Sequence, residues 1–341
     1  MFTDKFLVTT GHPYENGKNP EVLDFSPSIN PSKPSIRKVL TSARESRRAG
    51  CVGAIFQNRQ KIAICGGDNG YVFFPSSWII GNSAGQRVKM LEPRTEASGV
   101  ILFQELLWIT GGYNTENQVL HTTEFIDIND PENPIEAPDL PFKSYGHCMV
   151  LISHKLIYII GGKQDNNRSN RTWMVNPINQ ENFDIIQTHP MLKPRVGHCC
   201  GKMCVNGKVY IVAAGGINEN SVEFLDVTSD QGWKQGPGLP FALCWSRMVT
   251  SPNGQGVIVM GGYKDNERQV SDAIIELCGK TIDSMKWKAL KMTLQFPRQS
   301  FVVLPITNEF YEEKLADYSD PCVNNFEEKH LRPDGDQNVN I

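Results

Sequence analysis

The chain is patterned as short apolar, β-branched runs broken by polar stretches, and helical periodicity is weak throughout. The run "VYIVAAGGINENSVEFLD" at 209–226 shows the unit: a strand-like stretch stops at Gly215-Gly216, a polar loop follows, and a second alternating run begins. The same stop recurs at Gly66-Gly67, Gly111-Gly112, Gly161-Gly162 and Gly261-Gly262, with first glycines 45, 50, 54 and 46 residues apart. Self-similarity at such a period marks a repeat architecture.

Each period holds the same parts. About 14 residues before the glycine pair lies another strand, as in "YGHCMVLI" and "VGHCCGKMCV". After the pair and its loop comes a third, "TTEFIDI", "NSVEFLDV" or "DAIIEL", then a less regular fourth, "GWKQGPGLP" or "MKWKAL". Leu-Pro or Pro-Arg punctuation restarts the cycle. Four short antiparallel strands per ~50 residues predict the blade of a β-propeller. The glycines end the second strand near the crowded centre of the disc, where the chain turns sharply and a Cβ would clash.

A sixth copy is split between the termini. "FLVTTGHPYENGKNPEVLDF" supplies a strand, a degraded Gly11-His12 pair and a third-strand motif in which Glu21 and Asp24 match Glu223 and Asp226. "FPRQSFVVLPI" is a first strand with no second strand after it. The expected fold is therefore all-β, a six-bladed propeller over 1–308, with the C-terminal strand completing the first blade so that no sheet edge stays open. Residues 309–341 show no repeat and read as a polar, loosely ordered tail.

These residues resemble the Kelch repeat family. The shared elements are an Arg-x-Gly-His-like strand start, a β run ending in Gly-Gly, a "vEfyD"-like third strand and a Trp in the fourth. The fullest copy carries Arg195, Gly197, His198, Gly215, Gly216, Glu223, Phe224, Asp226 and Trp233. Other copies depart from it: most fourth strands lack the Trp, and Ser144 and Cys244 stand at the Arg position. The resemblance implies a protein-interaction module whose peptide contacts come from the residues just after the Arg and from the loop after the glycine pair. The former are Ala49, Thr95, Tyr145, Val196, Trp245 and Gln299.

Composition narrows the function classes. The formal charge is −3, which disfavours a nucleic-acid binder, and no apolar stretch is long enough to span a membrane. The N-terminus lacks the shape of a signal peptide, so the nine cysteines read as free thiols in the cytoplasm, and Asn167 and Asn170 as polar loop residues rather than glycosylation sites. No metal or cofactor is expected. Cys200 and Cys204 stand about 13 Å apart along one strand, whereas zinc-bound sulfurs lie within about 4 Å of each other. The first-strand positions that converge on the axis, aligned by the glycine pairs, are Cys51, Ala97, His147, His198, Arg247 and Phe301, a mixture unlike a metal ring.

The candidate ligand face is the channel mouth, carrying Arg48, Arg94, Arg195, Arg247 and Arg298 with Tyr145 and Trp245 as aromatic anchors. Two readings of the arginines stand side by side. They satisfy carbonyls between blades, or they form a positively biased rim for an acidic or phosphorylated segment. The leading function is a non-enzymatic adaptor or scaffold binding a protein partner. The alternative is a sugar-type isomerase or lyase-like enzyme in the channel mouth, which a buried Glu/Arg set at the axis would favour.

Overall fold

A computed structural model describes residues 5–9, 11, 21–25, 49–56, 61–68, 76–80 and 86–306, apart from 104, 128, 154, 165 and 230. Among these residues there is no α-helix, and the protein is all-β. The expected tail and Arg48 lie outside the described residues.

Five four-stranded antiparallel sheets follow one another along the chain. Sheet I comprises Val52–Phe56, Lys61–Cys65, Ser76–Ile80 and Gln86–Lys89. Sheet II comprises Ser98–Leu102, Leu106–Thr110, Thr123–Asp127 and Ile135–Ala137. Sheet III comprises Cys148–Ser153, Leu156–Ile160, Thr172–Pro177 and Phe183–Thr188. Sheet IV comprises Cys199–Val205, Lys208–Ala214, Val222–Asp226 and Trp233–Gln235. Sheet V comprises Arg247–Thr250, Val257–Met260, Ile274–Cys278 and Lys286–Ala289. Sheet VI joins the termini: Val302–Ile306 pairs antiparallel with Lys5–Thr9, which pairs with Glu21–Asp24.

The first strands of sheets I to V and Val302–Ile306 of sheet VI adjoin one another in cyclic order, sheet VI meeting sheet I. Between neighbouring sheets lie separate apolar clusters. One packs Val212, Phe224 and Val222 of sheet IV against Val257, Val259 and Leu277 of sheet V. Another packs Leu7, Val22 and Leu304 of sheet VI against Ile55, Ile62 and Ile64 of sheet I. Alternation along each strand sends successive side chains to opposite neighbours, so second strands such as Leu106–Thr110 and Val257–Met260 are buried on both faces. The arrangement fits a β-propeller-like fold.

One expectation fails in the interior. Cys148 of sheet III and Cys200 of sheet IV form a disulfide, with Cα atoms 6.0 Å apart, so the nine thiols are not all free. The reason is register. Cys148 and Cys200 both face the gap between sheets III and IV, where they share a cluster with Val150, Ile160 and Ala213, while Cys199 faces the opposite gap, with Val212 and Leu243.

Candidate functional site

The arginines of the repeat are internal. Arg94, Arg195 and Arg298 are buried to within 2% of complete. Each pairs with the glutamate of its own third strand: Arg94 Nη2 with Glu124 Oε1 at 3.1 Å, Arg195 Nη2 with Glu223 Oε1 at 2.7 Å, and Arg298 Nε with Glu21 Oε1 at 3.4 Å. Arg195 Nη1 also donates to the carbonyls of Gly215 and Ser221 at 2.7 and 2.8 Å, and Arg94 does the same to Gly111 and Thr122. The glutamates then accept backbone amides, as Glu223 does from Leu192 and Lys193. Burial pushes the Glu21 and Glu124 carboxyls upward in pKa, against the pull of their arginines. Meanwhile the main-chain carbonyls of Arg94, Arg195 and Arg298 accept from Gly67, Gly162 and Gly262 of the preceding sheets, at 2.6–2.8 Å. These three arginines are staples within and between sheets, so their assignment to the ligand face is withdrawn.

The register carries the motif further. The residue after the strand partner of Ala214 is Glu223, and after that of Thr110 it is Glu124. The same place in sheet III holds Trp173 and in sheet V holds Ile275. The matching arginine positions are Ser144 and Leu243, identified by the carbonyls that accept from Gly112 and Gly216. In sheets III and V arginine and glutamate are thus absent together, whereas in sheet I Trp78 stands at the glutamate position although Arg48 is present.

That identification moves sheet V by one residue. Leu243, not Cys244, stands at the arginine position, Cys244 takes the place of Tyr145, and Trp245 takes the place of Gly197. Pairing of Arg247 with Met260 matches Cys199 with Ala214, so the axial position given to Arg247 belongs to Ser246.

At the axis six main-chain hydrogen bonds run head to tail in a circle. The amide of Gly50 donates to Ser300, Ser300 to Trp245, Trp245 to Gly197, Gly197 to Gly146, Gly146 to Glu96, and Glu96 to Gly50, all at 2.7–3.0 Å. Every member has positive φ, from +50° at Ser300 to +67° at Gly50. Glycine is the residue for such backbone, yet Glu96, Trp245 and Ser300 adopt it, which is a mark of a functional position. The glycines leave room for the others: a Cβ at Gly197 would meet the indole of Trp245 at 2.9 Å, and one at Gly146 would meet it at 3.0 Å. Glu96 extends past Gly50, and its Oε1 accepts from Ser300 Oγ at 2.9 Å.

Glu96 and Trp245 line two cavities, one on the mouth side and one along the axis. The mouth, of about 710 Å³, carries Tyr113, Tyr145, Trp245 and Tyr263, with Asp68, Glu96 and Asp265 as acids and Lys163 as its cation. Tyr113 and Tyr145 meet edge to face at 5.2 Å, and Lys163 Nζ lies 5.7 Å from the Tyr145 ring centre. Asp68 accepts from Thr95 Oγ1 at 2.9 Å, and Asp265 from the Asn218 amide at 2.8 Å. Of the cations on the loops after the glycine pairs, Arg168 bonds the Ile217 carbonyl and Lys264 pairs with Glu267. The mouth is aromatic and acidic, the opposite of the basic rim expected.

The axial cavity, of about 180 Å³, is lined by Arg247, Glu96, His147, His198, Ser98 and Ser246 among others. Burial raises the Glu96 carboxyl to about 7, with Asp68 adding and Arg247 and Ser300 opposing. Burial lowers His147 to about 4 and His198 to about 3, so both rings are neutral at pH 7. Each ring also packs on a glycine pair: a Cβ at Gly111 would meet His147, and one at Gly161 would meet His198.

Of the predicted site residues, the structure brings Tyr145 and Trp245 to the mouth and Arg247 to the axis. The sequence reading missed Glu96, Asp68, Tyr113 and Tyr263. Glu96 had a signal: it is a glutamate in the column that elsewhere holds Gly50, Gly146 and Gly197.

No family model and no curated protein matches the chain. Among solved structures it is similar to "Structure of YjhT", with a TM-score of 0.68 and 11% sequence identity over 84% of this chain and 95% of that one. At that identity the likeness concerns the fold alone.

Proposed function

We propose that the chain is a six-bladed β-propeller of Kelch type that acts as a non-enzymatic interaction module, holding a cationic segment of a protein partner in its channel mouth. The blade count is supported by six sheets whose innermost strands follow in a circle and by the six-membered hydrogen-bond ring. The observation that carries the binding reading is the mouth's lining of four aromatic rings and three carboxylates around one lysine. A lysine or arginine side chain gains from both: ring faces attract cations, and carboxylates give charge-assisted hydrogen bonds. Aromatic anchors in a preformed concavity are where interfaces concentrate their affinity. The partner's charge is thus the reverse of the acidic one read from the sequence. The Cys148–Cys200 bridge supports an oxidising compartment over the cytoplasm expected there.

An array of matched lysine/arginine-rich and glutamate/phosphoserine-rich decapeptides tests the reading. The cationic set should be captured, and Asp68→Asn with Asp265→Asn should weaken capture by tenfold or more. Preference for the acidic set would overturn it.

A specific observation favours a second reading, an isomerase-type enzyme. Glu96 titrates at about 7, the value suited to general acid–base work at neutral pH, and Arg247 lies within its electrostatic reach at the axis. NMR exchange spectroscopy on reducing sugars is the check. An anomerisation rate above buffer that Glu96→Gln removes would support catalysis, and no rate above buffer would dismiss it.

A further inference from the structure

Arg247 differs from the other arginines near the axis. Arg94, Arg195 and Arg298 each have a glutamate, whereas Arg247 forms no ion pair among the described residues. Its hydrogen bond is to the neighbouring Ser246 carbonyl, at 3.2 Å. Other polar groups lining the same cavity are also unsatisfied. His198 is 5% exposed, with neither ring nitrogen partnered, His147 Nδ1 is unpartnered, and the fully buried Ser246 hydroxyl faces the Cys199 thiol. His147 Nε2 is taken by Thr110 Oγ1 at 2.9 Å. Buried polar groups are nearly always hydrogen-bonded, so a cluster of orphans around a cation points to something that belongs there.

We propose that the axial cavity beneath Trp245 binds one small oxyanion, seated on the Arg247 guanidinium and hydrogen-bonded by the neighbouring orphan donors. The volume of about 180 Å³ takes an anion of a few heavy atoms together with water. A guanidinium is a planar fork matched to carboxylate and sulfate oxygens. Neutral His198 has one ring N–H to donate, His147 offers Nδ1–H in the tautomer whose Nε2 accepts from Thr110 Oγ1, and the Ser246 hydroxyl can turn from the Cys199 thiol. The Cys199 thiol brings no competing charge, being pushed up to about 11 by burial.

Glu96 couples this site to protons. Facing its carboxyl are Arg247 on the axial side, and Asp68, Tyr113 and Cys244 on the mouth side. Ionised, Glu96 neutralises Arg247 and repels an anion. Protonated, it leaves the guanidinium uncompensated and the anion welcome. With Glu96 titrating at about 7, binding that needs its proton is roughly tenfold weaker at pH 8 than at pH 6.

The test is isothermal titration of the intact protein with acetate and with sulfate, at pH 6 and pH 8 and constant ionic strength. We expect one-to-one binding of acetate, sulfate or both, about tenfold tighter at pH 6. Glu96→Gln should keep the binding and lose its pH dependence, and Arg247→Met should abolish it. Arg247→Lys keeps the charge without the fork. Should Arg247→Met fail to fold, a tenfold or larger loss in Arg247→Lys supports the site, and unchanged affinity overturns it. Binding of neither anion, meaning that the cavity holds water only, overturns it too. So does binding that survives in a folded Arg247→Met, or a pH dependence that survives Glu96→Gln.

Discussion

Arg195 and Glu223 permit a test in which the protein supplies its own control. Replacing Arg195 by Leu leaves the buried Glu223 carboxylate with two amide donors and no counter-charge, and strips two carbonyls of their partner. Breaking a buried pair from one side costs about 3–5 kcal/mol. Replacing Glu223 by Ile leaves the Arg195 guanidinium uncompensated, at a similar cost of about 3–5 kcal/mol. If the two acted independently, the double variant would lose about 8 kcal/mol by addition. But Leu with Ile is the combination that sheet V already holds, as Leu243 and Ile275. In the double variant both charges are gone, and the remaining loss is four orphaned main-chain groups at about 1 kcal/mol each. The expected loss is therefore about 4 kcal/mol, close to either single variant and about half of their sum. Urea denaturation with equal m-values across the four proteins measures it. Losses that add to within about 0.5 kcal/mol would refute the view that the two residues form one staple.

Other consequences follow from the same geometry. The disulfide closes a separation of 52 residues, so Cys148→Ser should cost about 4 kcal/mol by loop entropy. Without reductant, at most seven of the nine cysteines should take up an alkylating agent in denaturant, and uptake by all nine would overturn the bridge. Deleting from residue 298 onward removes Val302–Ile306, strands an open edge on Lys5–Thr9 and should abolish cooperative unfolding; a melt like that of the intact chain would refute closure through sheet VI. Trp245→Gly suits the +55° backbone, so stability should change by no more than about 1 kcal/mol. The same change opens the partition between the cavities, so the Cys199 thiol should alkylate faster in the native state, and an unchanged rate would show that the indole is no barrier.

Strand number and order were legible because they rest on backbone needs that show in single residues. A glycine pair at positive φ, with a neighbouring sheet's carbonyl 2.2–2.6 Å from where the Cβ of Gly66, Gly111, Gly215 or Gly261 would stand, cannot be replaced without moving that backbone. The period of those pairs therefore survives where side chains drift. The arginines were legible as part of the repeat but not in their role. A guanidinium at a strand start looks the same in one dimension whether it points to solvent or into its own sheet. What decides is Glu223, 28 residues on, and the absence of both partners together in sheets III and V carries that pairing. The disulfide was hidden for a similar reason: Cys199 and Cys200 are adjacent in sequence, and only strand alternation tells which one faces Cys148.

The one-residue shift in sheet V is where the fold turns into a site. Aligning "LPFALCWSR" with "KPRVGH" by its ends puts Trp245 on the rim as one anchor among several. Aligning it by the carbonyl that accepts from Gly216 puts Trp245 into the hydrogen-bonded circle, in a conformation that favours glycine. The circle needs no side chains to hold together, since main-chain groups satisfy one another around it. Any side chain placed on it is therefore free to serve another purpose. Three glycines keep space beside it open, and Glu96, Trp245 and Ser300 occupy part of that space. Three carboxylates line the cavity above this layer and Arg247 lines the one below it, the seats proposed for a cation and for an anion. Glu96 belongs to both sides, so its single proton links what the mouth holds to what the axis holds.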